Sequence, residues 1–359
     1  MHMTRARSVF VLAALVAAAA CSDSTGPLPP LDEAALVGDM NAAASATDAP
    51  AAASLAVLGD QMNFALGGGV AVVAAEAVPA LLKDPLALVK DGALAKRLAP
   101  TAGGTTASVI PQAALGKTFV YSTDSGRYVL SARTGAPANG VRFVLYAVDP
   151  LFQEIVLPLT EVGYADLTRT VVNDNARARV EVWTTGGETK VLDYVAIVGG
   201  TLVAPAVTVE GFSRNGADSL AFRLVTRASL ANESVSINWR AAVPSRDLVT
   251  VVEQVLTGGE VGSVAFDGKI ASANGVVTMK GTLQQQSGGT ITVKVNGETF
   301  ARIVLATPSA EPEITGPTGE PLTEQQVVML QQIFAWFQGA YALFFGLLAP
   351  VSGLLDLAF

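Results

Sequence analysis

The sequence predicts an α+β protein that is mainly β: a large twisted antiparallel meander or partly open barrel, covered by apolar helices from the N- and C-terminal regions. Short segments with alternating apolar and polar residues follow one another through 107–306, separated by turn residues. Apolar segments with helical spacing lie on either side, at 53–99 and 323–358. Charged residues make up only 15% of the chain, which contains 34 glycines and 18 prolines, and this balance favours sheets and turns.

Residues 1–20 have the three parts of a secretory signal peptide. Arg5 and Arg7 form a positive region, an apolar run covers 9–20, and Cys21 follows immediately. The run is too short to be interpreted as a membrane-spanning helix. The sequence therefore predicts an exported protein.

Small residues directly before Cys21 resemble the lipobox of bacterial lipoproteins, in which this cysteine is acylated and becomes the new N-terminus. The resemblance implies lipidation of Cys21, although Ala18 stands where that family prefers Leu or a similar aliphatic residue. Ser22 after the cysteine resembles an outer-membrane sorting signal. The alternative is an ordinary signal peptide followed by an incidental cysteine. We expect a cell-envelope location, at the periplasmic or surface face of the outer membrane, with the lipid anchor as the contact to the membrane.

The counts of cysteine and histidine exclude several chemistries. Cys21 is the only cysteine and His2, inside the signal peptide, is the only histidine. The processed chain therefore has no thiol for a disulfide or a metal site and no imidazole for a Ser–His–Asp triad. We expect no catalytic residue, no cofactor and no metal site.

The charge of the chain argues against a nucleic-acid partner. The net charge is −8, and removal of Arg5 and Arg7 makes it −10. The sequence shows no basic cluster, so we expect repulsion from a phosphate backbone.

The segment between the cysteine and the β region is predicted in two parts. Residues 21–52 are rich in Ala, Asp, Pro and Ser and are interpreted as a lipid-anchored flexible tether, with a short helix near 32–40. Residues 53–106 are predicted as an apolar helical region of two or three short helices.

Strands in the β domain, 107–306, are expected to be buried on one side. In 177–183 the charged residues and Trp183 alternate with Ala and Val, and in 233–240 Trp239 alternates with polar residues. In 219–226 three apolar residues share a face. About thirteen or fourteen strands are expected between 117 and 306. Asn296-Gly297 predicts a tight type I′ hairpin that sets Val293 opposite Phe300.

The C-terminal region begins with a proline-rich acidic linker, 307–322. Thr323 and Gln326 then form a predicted capping box that opens an apolar helix within 323–359. This helix has three interpretations: a membrane span, an interfacial helix, or a core helix packed on the sheet. We favour the core helix, because a sheet with one apolar face must cover that face.

Four kinds of motif have a functional and a structural interpretation. Gly116-Lys117-Thr118 resembles the end of a P-loop, but Pro111 stands where the first glycine is needed, so a turn before a strand is favoured. Asn173-Asp174-Asn175 and Asp124-Ser125-Gly126 carry oxygen ligands, but are more typical of β-turns than of calcium loops. Trp183 shares its face with charged residues, and an exposed aromatic side chain indicates a contact surface.

Paired carboxylates are the remaining catalytic possibility, since two of them can hydrolyse a glycoside. The candidates lie in or near predicted strands, and their spacing singles out no pair; they are Asp166, Glu181, Asp193, Glu210 and Asp267.

Three stretches resemble exported bacterial lipoproteins of uncharacterised function. They are Gly116-Lys117-Thr118-Phe119, the run Arg133-Thr134-Gly135-Ala136-Pro137-Ala138-Asn139-Gly140-Val141-Arg142-Phe143, and Gly163-Tyr164-Ala165-Asp166-Leu167. The resemblance covers about residues 116–167 and implies no activity and no site residues. The favoured function is a membrane-anchored, non-enzymatic structural or binding module, which contacts another envelope protein. The alternative is a carrier of a lipid or other lipophilic ligand in a cavity between sheet and helices, and a carboxylate-dependent hydrolase is the third hypothesis.

Overall fold

The computed structural model describes residues 32–65 and 110–352, except residues 48, 150–153, 173–174, 202–203, 230, 259–261, 285 and 307–311. Cys21, the predicted signal peptide and most of the predicted helical region at 53–106 lie outside the described residues.

The described part of the chain contains three α-helices and seventeen strands. The helices are α1 (Glu33–Ser45), α2 (Pro50–Ala65) and α3 (Glu324–Ser352). The strands are β1 (Lys117–Ser122), β2 (Arg127–Ser131), β3 (Gly140–Tyr146), β4 (Val148–Asp149), β5 (Glu154–Ile155), β6 (Glu161–Val172), β7 (Asn175–Thr184), β8 (Lys190–Thr201), β9 (Ala204–Asn215), β10 (Asp218–Ser229), β11 (Ser234–Val243), β12 (Leu248–Thr257), β13 (Ser263–Ser272), β14 (Gly275–Gln284), β15 (Gly288–Val295), β16 (Glu298–Leu305) and β17 (Glu313–Thr315).

Fifteen of these strands form one sheet, in the order β17-β16-β15-β14-β13-β12-β11-β10-β9-β8-β7-β6-β3-β1-β2. From β6 to β16 every strand pairs antiparallel with the next strand along the chain, so the predicted antiparallel meander is confirmed. Among the described residues β2 and β17 each pair on one side only, and the sheet is therefore open rather than a closed barrel.

One pair of strands departs from the antiparallel prediction. β1 pairs antiparallel with β2 and parallel with β3. The hairpin places β2 at the edge of the sheet, on the side of β1 that faces away from β3. Residues 132–139 therefore pass the N-terminal end of β1 before β3 begins on its other side. A crossing of this kind brings the next strand in parallel to the first.

The alternation predicted from sequence corresponds to two faces of the sheet. Val180, Phe222 and Trp239 are at most 3% exposed, and they define what we call the inner face. Arg179 and Glu181 lie on the opposite, outer face, as their alternation with Val180 predicts. Each strand contributes every second residue to one face, and the apolar residues occupy those alternate positions. The inner face is therefore apolar.

The strand count and one hairpin register need correction. The structure has sixteen strands between 117 and 306 rather than thirteen or fourteen, because β4 and β5 form a separate two-stranded ribbon. Asn296 and Gly297 have φ values of 48° and 88°, as a type I′ turn requires. Val293, however, lies opposite Ala301 rather than Phe300, because a bulge shifts the register between Val293 and Lys294.

The helix α1 begins within the segment predicted as a tether. Asp32 caps it, accepting a hydrogen bond from the backbone N–H of Ala35 at 3.0 Å. The helix lies where a short helix was predicted near 32–40, and its Leu36 is fully buried in the core. Asp39, 7% exposed, accepts a 2.9 Å hydrogen bond from Asn274 in the β13–β14 turn.

The helix α2 follows after a short turn and lies against the first strands of the sheet. Ser54 Oγ accepts a 3.2 Å hydrogen bond from the backbone N–H of Tyr146 at the end of β3. Ala51 lies beside Gly163 in β6, where a Cβ on the glycine would come within 3.2 Å of the alanine Cβ.

The helix α3 begins with the predicted capping box. Gln326 Oε1 accepts a hydrogen bond from the N–H of Thr323 at 2.9 Å, and Thr323 Oγ1 accepts one from the N–H of Gln326 at 3.3 Å. Among the described residues, no helix is both long enough and apolar enough to cross a membrane. The strand β17 lies inside the segment predicted as a linker and pairs with β16.

Two aromatic residues of α3 contact the middle of the inner face. Trp336 donates its indole N–H to Thr250 Oγ1 in β12 at 3.0 Å. The ring of Phe337 packs edge-on against Trp239, at a centroid distance of 6.3 Å, and against Phe266, at 5.7 Å. Buried residues of all three helices belong to the same contiguous apolar core as the inner face.

Candidate functional site

Three of the five carboxylates singled out in the sequence meet on the outer face. Asp166 in β6, Glu181 in β7 and Asp193 in β8 are register partners on neighbouring strands, and Arg142 in β3 is the partner of Asp166. We call these four residues the charged row. Side chains opposite each other on neighbouring strands are close enough to interact directly.

The first pair in the charged row is Arg142 with Asp166. The guanidinium donates two hydrogen bonds to the carboxylate, from Nε and from Nη2, each of 2.7 Å. Burial raises the pKa of Asp166 above its ordinary value, and Arg142 opposes this rise. The two-point geometry fixes both side chains on the sheet face.

The other two carboxylates share two cations. Arg179 donates to both carboxylate oxygens of Asp193, at 3.0 and 2.7 Å, and lies 3.3 Å from Glu181. Lys190 Nζ contacts Glu181 and lies 2.7 Å from Asp193. The hydrogen bonds to Asp193 raise the pKa of Arg179. Three cations thus face three carboxylates, and the network is electrically neutral.

An aromatic pair lies next to the charged row. The rings of Tyr164 and Trp183 stack with an angle of 20° between them and a centroid distance of 6.4 Å. Arg142 lies 3.7 Å above the ring of Tyr164, and Lys190 lies 4.8 Å from the ring of Trp183. These cation–π contacts join the aromatic pair to the ion pairs. Trp183 is half-buried on the face predicted for it, among charged residues.

The remaining two carboxylates predicted as candidates lie elsewhere on the outer face. Glu210 pairs with Arg223 at 3.4 Å, and Asp267 pairs with Lys280 at 2.6 Å. The arginines and the lysine of the charged row and its neighbours were missed at the sequence level. Alternation placed Arg179 on the face of Glu181, but the registers of β3, β6, β7 and β8 were needed to bring Arg142 and Lys190 beside the carboxylates.

The chemistry open to the charged row follows from its ion pairs. Each of its three carboxylates is paired with at least one cation, and Glu181 contacts both Arg179 and Lys190 through Oε1. The carboxylates lie side by side along one sheet face, whereas glycoside hydrolysis needs two of them on opposite sides of the scissile bond. Over the described ranges, no group of three or more His, Cys, Asp or Glu residues has a geometry that could hold a metal ion.

Two of the motifs that resemble ligand-binding loops lie among the described residues, and both are turns beside strands. β1 begins at Lys117, so Gly116-Lys117-Thr118 leads into a strand and not into the helix of a P-loop. Asp124-Ser125-Gly126 forms the β1–β2 turn, and Gly126 adopts a φ of 64°. Asn173 and Asp174 lie outside the described residues.

Comparisons with known proteins add no family to this description. No family model, no curated protein and no solved structure matches the chain.

Proposed function

We propose that this protein is a bacterial lipoprotein of the cell envelope, anchored through Cys21, whose β domain acts as a non-enzymatic binding module. The signal-peptide pattern and the position of the single cysteine support the anchor. The charged row with its aromatic pair supports the binding role, and it is the observation that carries the proposal. A preorganised patch of ion pairs and aromatic rings is typical of contact surfaces.

Several properties of the patch suit the binding of another envelope protein. Tyr164 and Trp183 offer apolar area with little side-chain entropy to lose, because stacking already orders their rings. Arg142, Arg179 and Lys190 are held by carboxylates, so a partner meets charges that are already in place. Tyr164 also packs its hydroxyl against the β7–β8 turn, where a Cβ on Gly187 would come within 2.9 Å of it.

The anchor is tested by metabolic labelling with a radioactive fatty acid. The wild-type chain is expected to incorporate label and to enter the detergent phase, whereas Cys21→Ser is expected to do neither. Label that persists in Cys21→Ser, or an unlabelled wild-type chain, would overturn the anchor.

The binding role is tested by site-specific photocrosslinking in the intact envelope. A photoreactive residue at Trp183 is expected to give one discrete product. The same residue at Val328, an exposed position on α3, serves as the control. Equal product patterns at both positions would contradict a binding role for the patch.

A second candidate function is supported by the inner face. We infer that the apolar helices from both ends of the chain cover this face and that a lipophilic ligand binds between sheet and helices. The contacts of Trp336 and Phe337 with β11–β13, and of Ser54 with β3, support this arrangement. Apolar binding sites of this kind are usual between layers of secondary structure.

The carrier function is tested by mass spectrometry of organic extracts from purified Cys21→Ser protein. A defined lipid recovered at near one molecule per chain supports the carrier. A well-folded protein without extractable lipid excludes it and leaves the binding module.

A further inference from the structure

The outer face has an uneven distribution of charge that the sequence does not reveal. Over β10–β16 it carries seven cations and two carboxylates, although the whole chain has a net charge of −8. The cations are Arg223, Arg227, Arg240, Lys269, Lys280, Lys294 and Arg302, and the carboxylates are Glu253 and Asp267. These cations are spread over 80 residues of sequence, and strand alternation brings them to one face. We call this surface the basic face.

Six of the seven cations form two rows across the strands, and Arg227 lies outside both. In the first row Arg223 and Arg240 are direct partners, and Lys269 and Lys294 follow at intervals of two strands. In the second row Lys280 and Arg302 are also two strands apart. Two strand spacings amount to about 10 Å, so positive charges recur at a regular interval along a line perpendicular to the strands.

Three of these cations are available to a partner, whereas Arg223 and Lys280 are already paired with Glu210 and Asp267. Lys269, Lys294 and Arg302 are exposed, and within the described part of the chain none of them has a carboxylate within ion-pair distance. Threonine hydroxyls lie between them, at Thr278 next to Lys294 and at Thr292 next to Arg302. The basic face therefore offers charges and hydrogen-bonding groups together.

We propose that the basic face binds a linear acidic polysaccharide, running across strands β10–β16 with its carboxylates on the lysine and arginine rows. Charge complementarity selects a polyanion, and hydroxyl groups beside the cations suit the hydroxyls of sugar rings. Adjacent strands in sheets are rotated by roughly 20–25° on average, so we expect six strand steps to turn this face by about a right angle or more. A flexible polymer can follow such a twist, whereas a planar membrane contacts only a few strands at once.

Nucleic acid is disfavoured by the composition of the same surface. Binding of single strands relies on aromatic side chains that stack with bases. The two cation rows contain no aromatic residue: their members between β10 and β16 are Arg, Lys, Val, Thr, Asn, Glu and Asp. This proposal does not depend on the lipid anchor, because it concerns the folded β domain alone.

The test is binding of the full chain to polygalacturonate, with its fully methyl-esterified form as the uncharged control polymer. We expect saturable binding to the acid form, no binding to the ester, and an affinity that falls steeply as salt is raised. Lys269→Glu/Lys294→Glu is expected to weaken binding at least tenfold. Lys117→Glu/Arg127→Glu, which makes the same change in net charge at exposed positions of β1 and β2, is expected to change it less than twofold.

Three outcomes would overturn the proposal. Equal loss in both double variants would show a response to net charge rather than to the basic face. Equal or tighter binding to single-stranded DNA, or to anionic phospholipid vesicles, would assign the face to those partners instead. Far-UV circular dichroism identical to wild type confirms that each variant is folded, so a loss of binding is not a loss of structure.

Discussion

The hydrogen bond between Trp336 and Thr250 makes the docking of α3 on the sheet measurable. Thr250 is fully buried and Trp336 is 8% exposed, so neither group can exchange its partner for water. Trp336→Phe removes the indole N–H and leaves the threonine hydroxyl unsatisfied, which costs about 1–3 kcal/mol in the free energy of unfolding. Thr250→Val leaves the indole N–H unsatisfied and costs a similar amount.

The double variant Trp336→Phe/Thr250→Val removes both partners together. It is expected to be more stable than the sum of the single effects predicts, with a coupling free energy of about 1 kcal/mol or more. The measurement is urea unfolding of the wild type, the two single variants and the double variant, monitored by circular dichroism. All four proteins are measured in the same detergent. Single variants that do not change the unfolding midpoint, or effects that add within about 0.3 kcal/mol, would refute docking of α3 through this bond.

Three other changes test the core, the charged row and α1. Gly268→Ala places a Cβ 2.8 Å from Cε1 of Phe266 and 3.1 Å from Cζ of Phe337, so we expect a loss of about 1–3 kcal/mol in the free energy of unfolding by urea, which Phe266→Leu partly restores. Arg142→Met removes the largest interaction opposing the raised pKa of Asp166, so NMR titration should show that pKa rising further. Because the folded-state pKa of Asp166 is already raised, the destabilisation by Arg142→Met should be greatest at neutral pH and shrink as the pH falls through that pKa; a pH-independent loss would contradict this. Asp39→Ala removes a buried acceptor that holds α1 to the β13–β14 turn, so it should reduce the free energy of unfolding by about 1–3 kcal/mol and lower the thermal midpoint. Asp124→Ala in an exposed turn should leave the midpoint unchanged.

Features set by local sequence were predictable. The Asn296-Gly297 turn depends on two residues that accept positive φ, and the capping box depends on Thr323 and Gln326 three positions apart. The strand faces also followed from alternation, because a strand exposes every second residue to the same side. Each of these needs information from fewer than ten neighbouring residues.

Features set by register were not predictable. The bulge after Val293 shifts its partner from Phe300 to Ala301, and no residue in the turn marks it. The charged row requires the registers of four strands at once, so Asp166, Glu181 and Asp193 stood in the sequence without any sign of their proximity. The parallel pairing of β1 with β3 likewise depends on where the chain returns after its first hairpin.

The contrast between the meander and the helices has a consequence for the order of folding. Strands β7–β16 pair only with sequence neighbours, so each hairpin can close soon after it is synthesised. The helix α1 must wait much longer, because Asp39 and its partner Asn274 are separated by 235 residues. Among the described residues, Leu36 and its apolar neighbours are thus the first core residues synthesised and among the last to be buried. During that interval they form an exposed, aggregation-prone hydrophobic surface. A chaperone that binds the N-terminal helices would protect the chain from aggregation until β14 is complete.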